Sequence, residues 1–200
     1  GPQAAGAIYL DAPVRVNLCN ISKALGKSIS DLTVVILDRP RHKTLIEEVR
    51  EAGARIKLIS DGDVAPAVAT AFPDSGVDVM MGIGGAPEGV LAAAALRTLG
   101  GEMQGRLMPE TEEEIARAQK MGLDNVNKLL TLEDLVKGDD VIFVASGITD
   151  SSLLKGVVMT STGAITHSVI MRGKTGTIRF VEAIHRFDKK PHWKEIAELI

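Results

Sequence analysis

Between residues 32 and 100 the sequence changes three times from a strand-like pattern to a helix-like pattern, and this alternation constrains the fold more than any other feature. The strand-like runs are "LTVVILD", "RIKLIS" and "VDVMMGI". The segments that follow them have helical spacing: "PRHKTLIEEVREAG", "DVAPAVATAF", which Pro66 is expected to interrupt, and "PEGVLAAAALRTLG". Strand–helix units repeated at this spacing predict a layered α/β sandwich built on a largely parallel sheet.

The segments on either side of this region extend the same prediction. Before it, "VRVNLCNISKALG" has apolar residues at helical spacing and ends in Gly26, a residue that favours helix termination. After it come a short strand, "EMQGRLM", a helix, "EEEIARAQKMG", and a helical turn, "LEDLV". The last strand-like runs are "DVIFVAS", "GVVMTST", "AITHSVIMRG" and "GTIRFVEAIHRF". We predict that they add antiparallel strands to the same sheet, giving a mixed sheet and a single α/β unit over residues 1–200.

Composition excludes several classes of function. The chain has 23 basic and 26 acidic residues and no long run of one sign, so it lacks the basic footprint of a protein that binds nucleic acid or an anionic membrane. No apolar run approaches the roughly 20 residues that span a bilayer. The single cysteine, Cys19, cannot form an intrachain disulfide and fits a reducing compartment. We therefore expect a cytoplasmic protein without nucleic-acid or membrane partners.

Ligands of open α/β sheets bind at the carboxyl ends of the strands, so the turns that follow the three strands are the first place to look for a site. These turns are "DRPRH", "SDGDV" and "GIGGAPEG". Each is polar or rich in glycine. If the strands are parallel, the three turns lie at one edge of the sheet.

The first turn contains two arginines, Arg39 and Arg41, separated by Pro40. Guanidinium groups suit bidentate recognition of phosphate, although two arginines in a turn are also common on a solvated surface. The next residue, His42, has no cysteine or histidine close by, so it is weak evidence for a metal site. The later histidines are interpreted as structural or surface residues: His167, His185 and His192.

The second turn places two carboxylates, Asp61 and Asp63, on either side of Gly62. They could accept hydrogen bonds from the hydroxyls of a sugar. The alternative is a tight turn in which Asp61 caps the backbone and Gly62 has a positive φ.

The third turn supplies backbone N–H groups at the start of a helix and one acid, Glu88. Such N–H groups favour phosphate or sugar oxygens. Glu88 is either a simple helix-end acid that interacts with the helix dipole or a ligand for a hard divalent cation. Taken together, the three turns predict a site for a phosphorylated sugar.

The same turns, in this order, resemble the class II fructose-1,6-bisphosphatases of bacteria. The resemblance covers about residues 13–187 and includes "SDGDVA", "DVMMGIGGAPEGV", "GEMQGRL", "VIFVASGIT" and "IMRGKTGTIR". It implies the sugar-phosphatase fold and hydrolysis, dependent on Mg²⁺ or Mn²⁺, of the 1-phosphate of fructose 1,6-bisphosphate in gluconeogenesis. Some members of the family also act on sedoheptulose 1,7-bisphosphate.

The resemblance also implies roles for particular residues. The positions that match substrate contacts are Arg39, Pro40, Arg41, Asp61, Gly62, Asp63 and Gly85. Glu88 matches a metal ligand. No catalytic residue of this chain can be identified from the resemblance.

Members of the family are longer and carry further carboxylate ligands in an N-terminal part. We therefore expect this chain to correspond to the C-terminal part of such an enzyme and to be inactive, or nearly so, without the N-terminal half. A homo-oligomer is also expected, although the apolar stretch "VLAAAALRTL" fits a core better than an interface. The rival interpretation is a non-catalytic module that binds phosphosugars.

Overall fold

The structure, a computed structural model, describes residues 1–190. Its first half contains the predicted alternation of helices and strands in the predicted order. The elements are α1 (Val14–Leu25), β1 (Thr33–Leu37), α2 (Lys43–Ala52), β2 (Arg55–Ile59), α3 (Val64–Ala69), β3 (Val79–Met80) and α4 (Ala86–Leu99). Pro66 lies in the first turn of α3 and does not interrupt it, because the first N–H groups of a helix have no partner within the helix.

The three strands of this half form a parallel sheet in the order β2-β1-β3. β1 is the central strand, and its residues from Val34 to Leu37 are all buried, as its continuous apolar run predicts. β3 is shorter than predicted because Gly82 takes a φ of 140°, which ends the strand. The Met81 N–H still donates to the carbonyl of Val35 at 3.1 Å.

The second half consists mainly of antiparallel strands. Its elements are β4 (Gln104–Gly105), α5 (Glu112–Lys120), β5 (Leu130–Thr131), α6 (Leu132–Leu135), β6 (Ile142–Ser146), β7 (Val158–Thr160), β8 (Gly163–Arg172) and β9 (Thr177–Arg186). β4 pairs with β5, while β8 pairs with β6, β7 and β9. The α/β class is confirmed, but the antiparallel strands do not extend the parallel sheet and instead form sheets of their own.

The physical reason for the separate sheet is that helices lie between the two sheets. Side chains on one face of β1, among them Val34 and Ile36, pack with α1 and α2, whereas Val35 on the other face packs with Ala69 of α3. A third cluster joins α3 and α4 to the antiparallel sheet: Val68, Ala95, Phe143, Leu154, Val169 and Met171. The layers are therefore helices, parallel sheet, helices and antiparallel sheet.

The alanine-rich helix α4 explains how the middle layer is filled. Four of its apolar side chains are buried: Ala92, Ala93, Ala95 and Leu96. A helix that is apolar on several sides belongs between layers, and small side chains allow close packing. The core interpretation of "VLAAAALRTL" is thus confirmed for this part of the helix.

No helix within residues 1–190 is both long enough and apolar enough to cross a membrane.

Candidate functional site

The turns after β1, β2 and β3 meet at the carboxyl edge of the parallel sheet, as predicted. They surround a cavity of about 170 Å³. It is lined by Leu37, Arg39, Arg41, Asp61, Asp63, Gly84, Gly85 and Glu88. Pro40 and Gly62 belong to these turns without lining the cavity. The sequence prediction missed Gly84, although its place beside Gly85 in a glycine-rich turn was a usable signal.

The charged side chains of this cavity are not neutralised by one another. Within the described chain, neither the two arginines nor the three acids of the cavity take part in an ion pair. Burial raises the pKa of the Asp63 carboxyl above its ordinary value, and the negative charges of Glu88 and Asp61 raise this pKa further. The acidic side of the cavity therefore favours a cation or hydrogen-bond donors.

Two of these carboxylates lie directly against the glycine turn. A methyl group at Gly84 would overlap the carboxylate of Asp63, and one at Gly85 would overlap the carboxylate of Glu88. Neither glycine has a positive φ, so an added side chain would conflict with the present position of a carboxylate and not with the backbone conformation. In residues 1–190 no hydrogen bond is formed by the backbone N–H of either glycine.

The two arginines are held differently. Arg41 donates from Nε and Nη2 to the carbonyl of Ile83, at 3.2 and 2.7 Å. Arg39 donates only from Nη1, to the carbonyl of Asp38 at 2.9 Å. Arg39 therefore has more donors left for a ligand than Arg41.

The aspartate turn forms the tight turn predicted from its sequence and leaves its carboxylates accessible from the cavity. Asp61 Oδ1 accepts the N–H of Gly62 at 2.8 Å, and Gly62 has a φ of 76°. The tight-turn interpretation is thus confirmed. It uses one carboxylate oxygen and leaves the exposed Asp61 and the half-buried Asp63 facing the cavity.

His42 has a structural role that its sequence context does not predict. This side chain is 1% exposed and links β1 to the glycine turn: Nδ1 is 2.7 Å from the carbonyl of Leu37, and Nε2 is 2.8 Å from the N–H of Ile83. Its position directly after the two arginines, at the start of a helix, was the only signal in the sequence.

The other histidines have local partners on the antiparallel sheet. His167 lies 3.2 Å from Glu182, and His185 lies 2.9 Å from the hydroxyl of Thr166. Their interpretation as structural residues is confirmed. His192 lies outside the described residues.

The donors of the cavity suit a hard divalent cation in kind, since carboxylate oxygens are the ligands that Mg²⁺ and related ions prefer. They are too few for a complete site. In the part of the chain that the structure describes, no three Asp, Glu, His or Cys side chains come together in a group that could hold a metal ion. Glu88 and its neighbour Asp63 thus fit one side of a metal site.

The comparison with known protein families identifies the group to which this site belongs. Residues 1–185 match the family model described as "Bacterial fructose-1,6-bisphosphatase, glpX-encoded". The chain belongs to this family. The resemblance found in the three turns is therefore confirmed over most of the chain.

Individual relatives agree with the family match. The chain is 46% identical to the class 2 fructose-1,6-bisphosphatase of Haemophilus influenzae and 45% identical to the protein named fructose-1,6-bisphosphatase 1 class 2 of Escherichia coli. It is 43% identical to a Synechococcus protein named D-fructose 1,6-bisphosphatase class 2/sedoheptulose 1,7-bisphosphatase.

These matches cover 94–95% of this chain but only 57–60% of the length of the relatives. The chain thus spans somewhat more than half of the proteins that it resembles. The activity of a whole relative can therefore be assigned to this protein only as a proposal.

Proposed function

We propose that this chain supplies the substrate-binding turns and one metal ligand of a class 2 fructose-1,6-bisphosphatase. The reaction is hydrolysis of the 1-phosphate of fructose 1,6-bisphosphate to fructose 6-phosphate and phosphate. The observation that carries the proposal is the set of charged side chains around one cavity that form no ion pair within residues 1–190, in a chain of this family. Charges left unpaired in a cleft are typical of binding sites, because the ligand is their partner.

The basic side of the cavity would bind a phosphate group of the substrate. Arg39 has the larger number of remaining donors, and Arg41 can add the donors that Ile83 does not use. The backbone N–H groups of Gly84 and Gly85 lie in the same wall and can donate to phosphate or hydroxyl oxygens.

The acidic side would bind hydroxyl groups of the sugar and a metal ion. Asp61 and Asp63 would accept hydrogen bonds from hydroxyls, since an ionised carboxylate can only accept. Glu88 would be a ligand for Mg²⁺ or Mn²⁺, which, when bound, polarises the phosphoryl group and activates the attacking water. A nearby cation would also lower the repulsion that raises the pKa of Asp63.

We further propose that the remaining length of the relatives supplies the missing part of the site. A larger, mostly apolar cavity of about 450 Å³ adjoins the first and shares Arg41, Asp63 and Glu88 with it. Its apolar wall includes Ile21, Leu37, Ala92 and Met103. A protein segment packed there would remove this surface from water and could bring the additional ligands that Glu88 needs.

We also propose a role in gluconeogenesis, a cytoplasmic location and a homo-oligomeric state. Gluconeogenesis and a cytoplasmic location agree with the proposed reaction and with a chain that has a single cysteine. A homo-oligomer is supported by exposed apolar side chains on one face of the antiparallel sheet, such as Ile142 and Val144.

The decisive experiment measures phosphate release from fructose 1,6-bisphosphate by the full-length protein with Mg²⁺ or Mn²⁺. We expect Glu88→Gln to reduce kcat/KM by about 100-fold or more, because changes that merely reorient metal ligands already cost about 10–100-fold. The matched control is Glu182→Gln, which removes a charge paired with His167 on the antiparallel sheet and should leave activity unchanged.

Two results would contradict the proposal in different ways. No phosphate release from the wild-type protein, with either metal, would exclude the bisphosphatase activity. Full activity in Glu88→Gln would be compatible with the bisphosphatase activity but would show that Glu88 is not a required metal ligand.

A second substrate is favoured by one relative, since the printed name of the Synechococcus protein includes sedoheptulose 1,7-bisphosphatase. The carboxylates of the second turn can accept hydroxyls from a six-carbon or a seven-carbon ketose. Comparison of kcat/KM on the two bisphosphates decides between one substrate and two.

The non-catalytic alternative makes a different prediction. A pure phosphosugar-binding module would bind fructose 6-phosphate without metal, and Glu88→Gln would leave that binding intact. Calorimetric titration of the 200-residue chain and this variant, in the presence of a chelator, tests that alternative directly.

A further inference from the structure

His42 is buried between two of the turns that form the site, although it does not line the smaller cavity itself. It belongs to the turn after β1, and its ring reaches the turn after β3. It contacts the carbonyl of Leu37 through Nδ1 and the N–H of Ile83 through Nε2, and these residues are 5 and 41 positions away in sequence. The ring thus joins the middle strand of the sheet to the glycine turn.

The two hydrogen bonds fix the protonation state of the ring. A backbone N–H can only donate, so Nε2 must be the unprotonated acceptor for Ile83. A carbonyl can only accept, so Nδ1 must carry the hydrogen and donate to Leu37. Only the neutral tautomer with hydrogen on Nδ1 satisfies both partners.

Both backbone polar groups of Ile83 form hydrogen bonds with side chains of the first turn. Nε2 of His42 accepts the N–H of Ile83, and the guanidinium of Arg41 donates twice to its carbonyl. The ring also covers Gly82, where an added Cβ would lie 3.1 Å from Cε1 and Nε2. A larger residue at 82 would therefore press on the ring of His42 and would also have to adopt a φ of 140°, which side chains disfavour.

The held residue directly precedes the two glycines that contact the carboxylates. Gly84 lies against Asp63, and Gly85 lies against Glu88. A displacement of the Ile83 peptide would therefore change the space available to both carboxylates. It would also move the backbone N–H groups of Gly84 and Gly85.

We propose that His42 is a positioning residue of this site, which sets the place of the glycine turn, and through it of Asp63 and Glu88, by accepting the N–H of Ile83. This inference rests on the proposed function, because the consequence for activity assumes that the cavity binds the sugar phosphate. It assigns no contact with substrate or metal to His42.

Two amide substitutions at His42 each preserve one of its two hydrogen bonds and remove the other. The side-chain amide of His42→Gln reaches the position of Nε2 and can accept from Ile83, whereas that of His42→Asn reaches the position of Nδ1 and can donate only to Leu37. For the full-length enzyme we expect His42→Asn to lose about 10–100-fold in kcat/KM, the cost typical of removing a group that orients ligands, and His42→Gln to recover most of it. Each variant should lose one of the two buried hydrogen bonds of His42: the bond to Ile83 in His42→Asn and the bond to Leu37 in His42→Gln. Thermal unfolding of both variants measures the resulting loss of stability.

Hydrogen exchange of the Ile83 amide provides a readout that is independent of catalysis. Measured by NMR on the 200-residue chain, this amide should stay protected in His42→Gln and exchange faster in His42→Asn. Equal losses of activity in the two variants, or losses that follow their thermal stability, would overturn the positioning role. So would better activity in His42→Asn than in His42→Gln.

The tautomer can be tested without any variant, which keeps the inference falsifiable if both substitutions prevent folding. The ¹⁵N shifts of the His42 ring in the wild-type chain should report hydrogen on Nδ1 and none on Nε2. Hydrogen on Nε2 would refute the proposed bond. If wild-type enzyme releases no phosphate, the proposed function fails, while the tautomer and the amide exchange still decide whether His42 holds the turn.

Discussion

The acids of the second half and the acids of the candidate site have opposite surroundings. In the second half, Asp134 is paired with Lys128 and Asp140 with Arg172, and the hydrogen bonds from these cations lower the pKa of both carboxyls. At the edge of the parallel sheet, Asp63 has no cationic partner within the described residues, and its pKa is raised.

This difference distinguishes charges that stabilise the fold from charges that are available to bind a ligand. A paired acid is more favourable when the chain is folded than when it is unfolded, whereas an acid beside other acids is less favourable in the folded chain. The site is therefore expected to cost stability and the second half to supply it.

Gly85→Ala should impair activity without impairing folding. The φ of −70° at Gly85 suits alanine, so the backbone tolerates the change, but the new methyl group would displace the carboxylate of Glu88. We expect a loss of about 10–100-fold in kcat/KM in the full-length enzyme, as for other changes that misplace a metal ligand. The free energy of unfolding should fall by only about 1 kcal/mol, because Gly85 is the N-cap of α4 and alanine is a poorer N-cap than glycine.

The matched control is Gly89→Ala, four residues further along the same helix. A methyl group there meets only the end of Met103, at an ordinary 3.6 Å. Because glycine weakens a helix interior, this variant of the 200-residue chain should be more stable by up to about 1 kcal/mol. Gly89 lines the larger cavity, so in the full-length enzyme the variant is expected to keep more activity than Gly85→Ala. Equal activity in the two alanine variants would mean that the position of the Glu88 carboxylate is not critical.

The sequence predicted the parallel half well because its signals are local. The run from Val34 to Leu37 is continuously apolar, as expected for a strand buried on both faces, and the turns carry their glycines and charges within a few residues. The edge at which the turns meet follows from the parallel direction of the strands alone. The fold class and the clustering of the site were therefore predictable.

What could not be predicted depends on contacts between distant segments. Whether β8 joins the parallel sheet or forms another depends on α4 lying between them, and only the buried alanines of α4 hinted at this. The role of His42 was hidden for the same reason. One of its two bonds, to Ile83, joins residues 41 positions apart.

Asp63→Asn should raise the stability of the 200-residue chain at neutral pH while weakening its binding of fructose 6-phosphate. The folded-state pKa of Asp63 is raised, so the folded chain binds more protons than the unfolded chain in the range above the ordinary value of 3.8. Ionisation of Asp63 therefore costs stability as the pH rises through this range. The stability advantage of the asparagine variant should be present at pH 7 and disappear as the pH falls toward 3.8.

Thermal unfolding of both proteins across this pH range, with a chelator present, measures the effect. Asp61→Asn is a useful comparison, because the carboxylate of Asp61 already accepts the N–H of Gly62 and is more exposed. A stability advantage of Asp63→Asn that grows on acidification would show that the ionised Asp63 has a stabilising partner. The contrast between the unpaired acids of the site and the paired acids of the second half would then fail.

The smallest effect is expected for Asp134→Asn, which should change stability in the opposite direction. Asp134 accepts hydrogen bonds from the ammonium of Lys128 and from both the N–H and the hydroxyl of Thr131, which lower its pKa to about 2. A depressed folded-state pKa means that the ionised group stabilises the fold above the ordinary value of 3.8, and that this contribution is lost as the pH falls toward 2. The asparagine variant should therefore unfold at a slightly lower temperature than wild type at pH 7, and the two unfolding temperatures should converge in acid.

Lys128→Met distinguishes the ion pair from the hydrogen bonds of Thr131, because it removes the ion pair and leaves those hydrogen bonds in place. Added salt should reduce the stability that the ion pair contributes, which is the part lost in both Lys128→Met and Asp134→Asn. If Asp134→Asn were instead as stable as wild type at pH 7, the hydrogen bonds and the ion pair of this carboxylate would contribute nothing measurable, and a depressed pKa would not identify the acids that stabilise the second half.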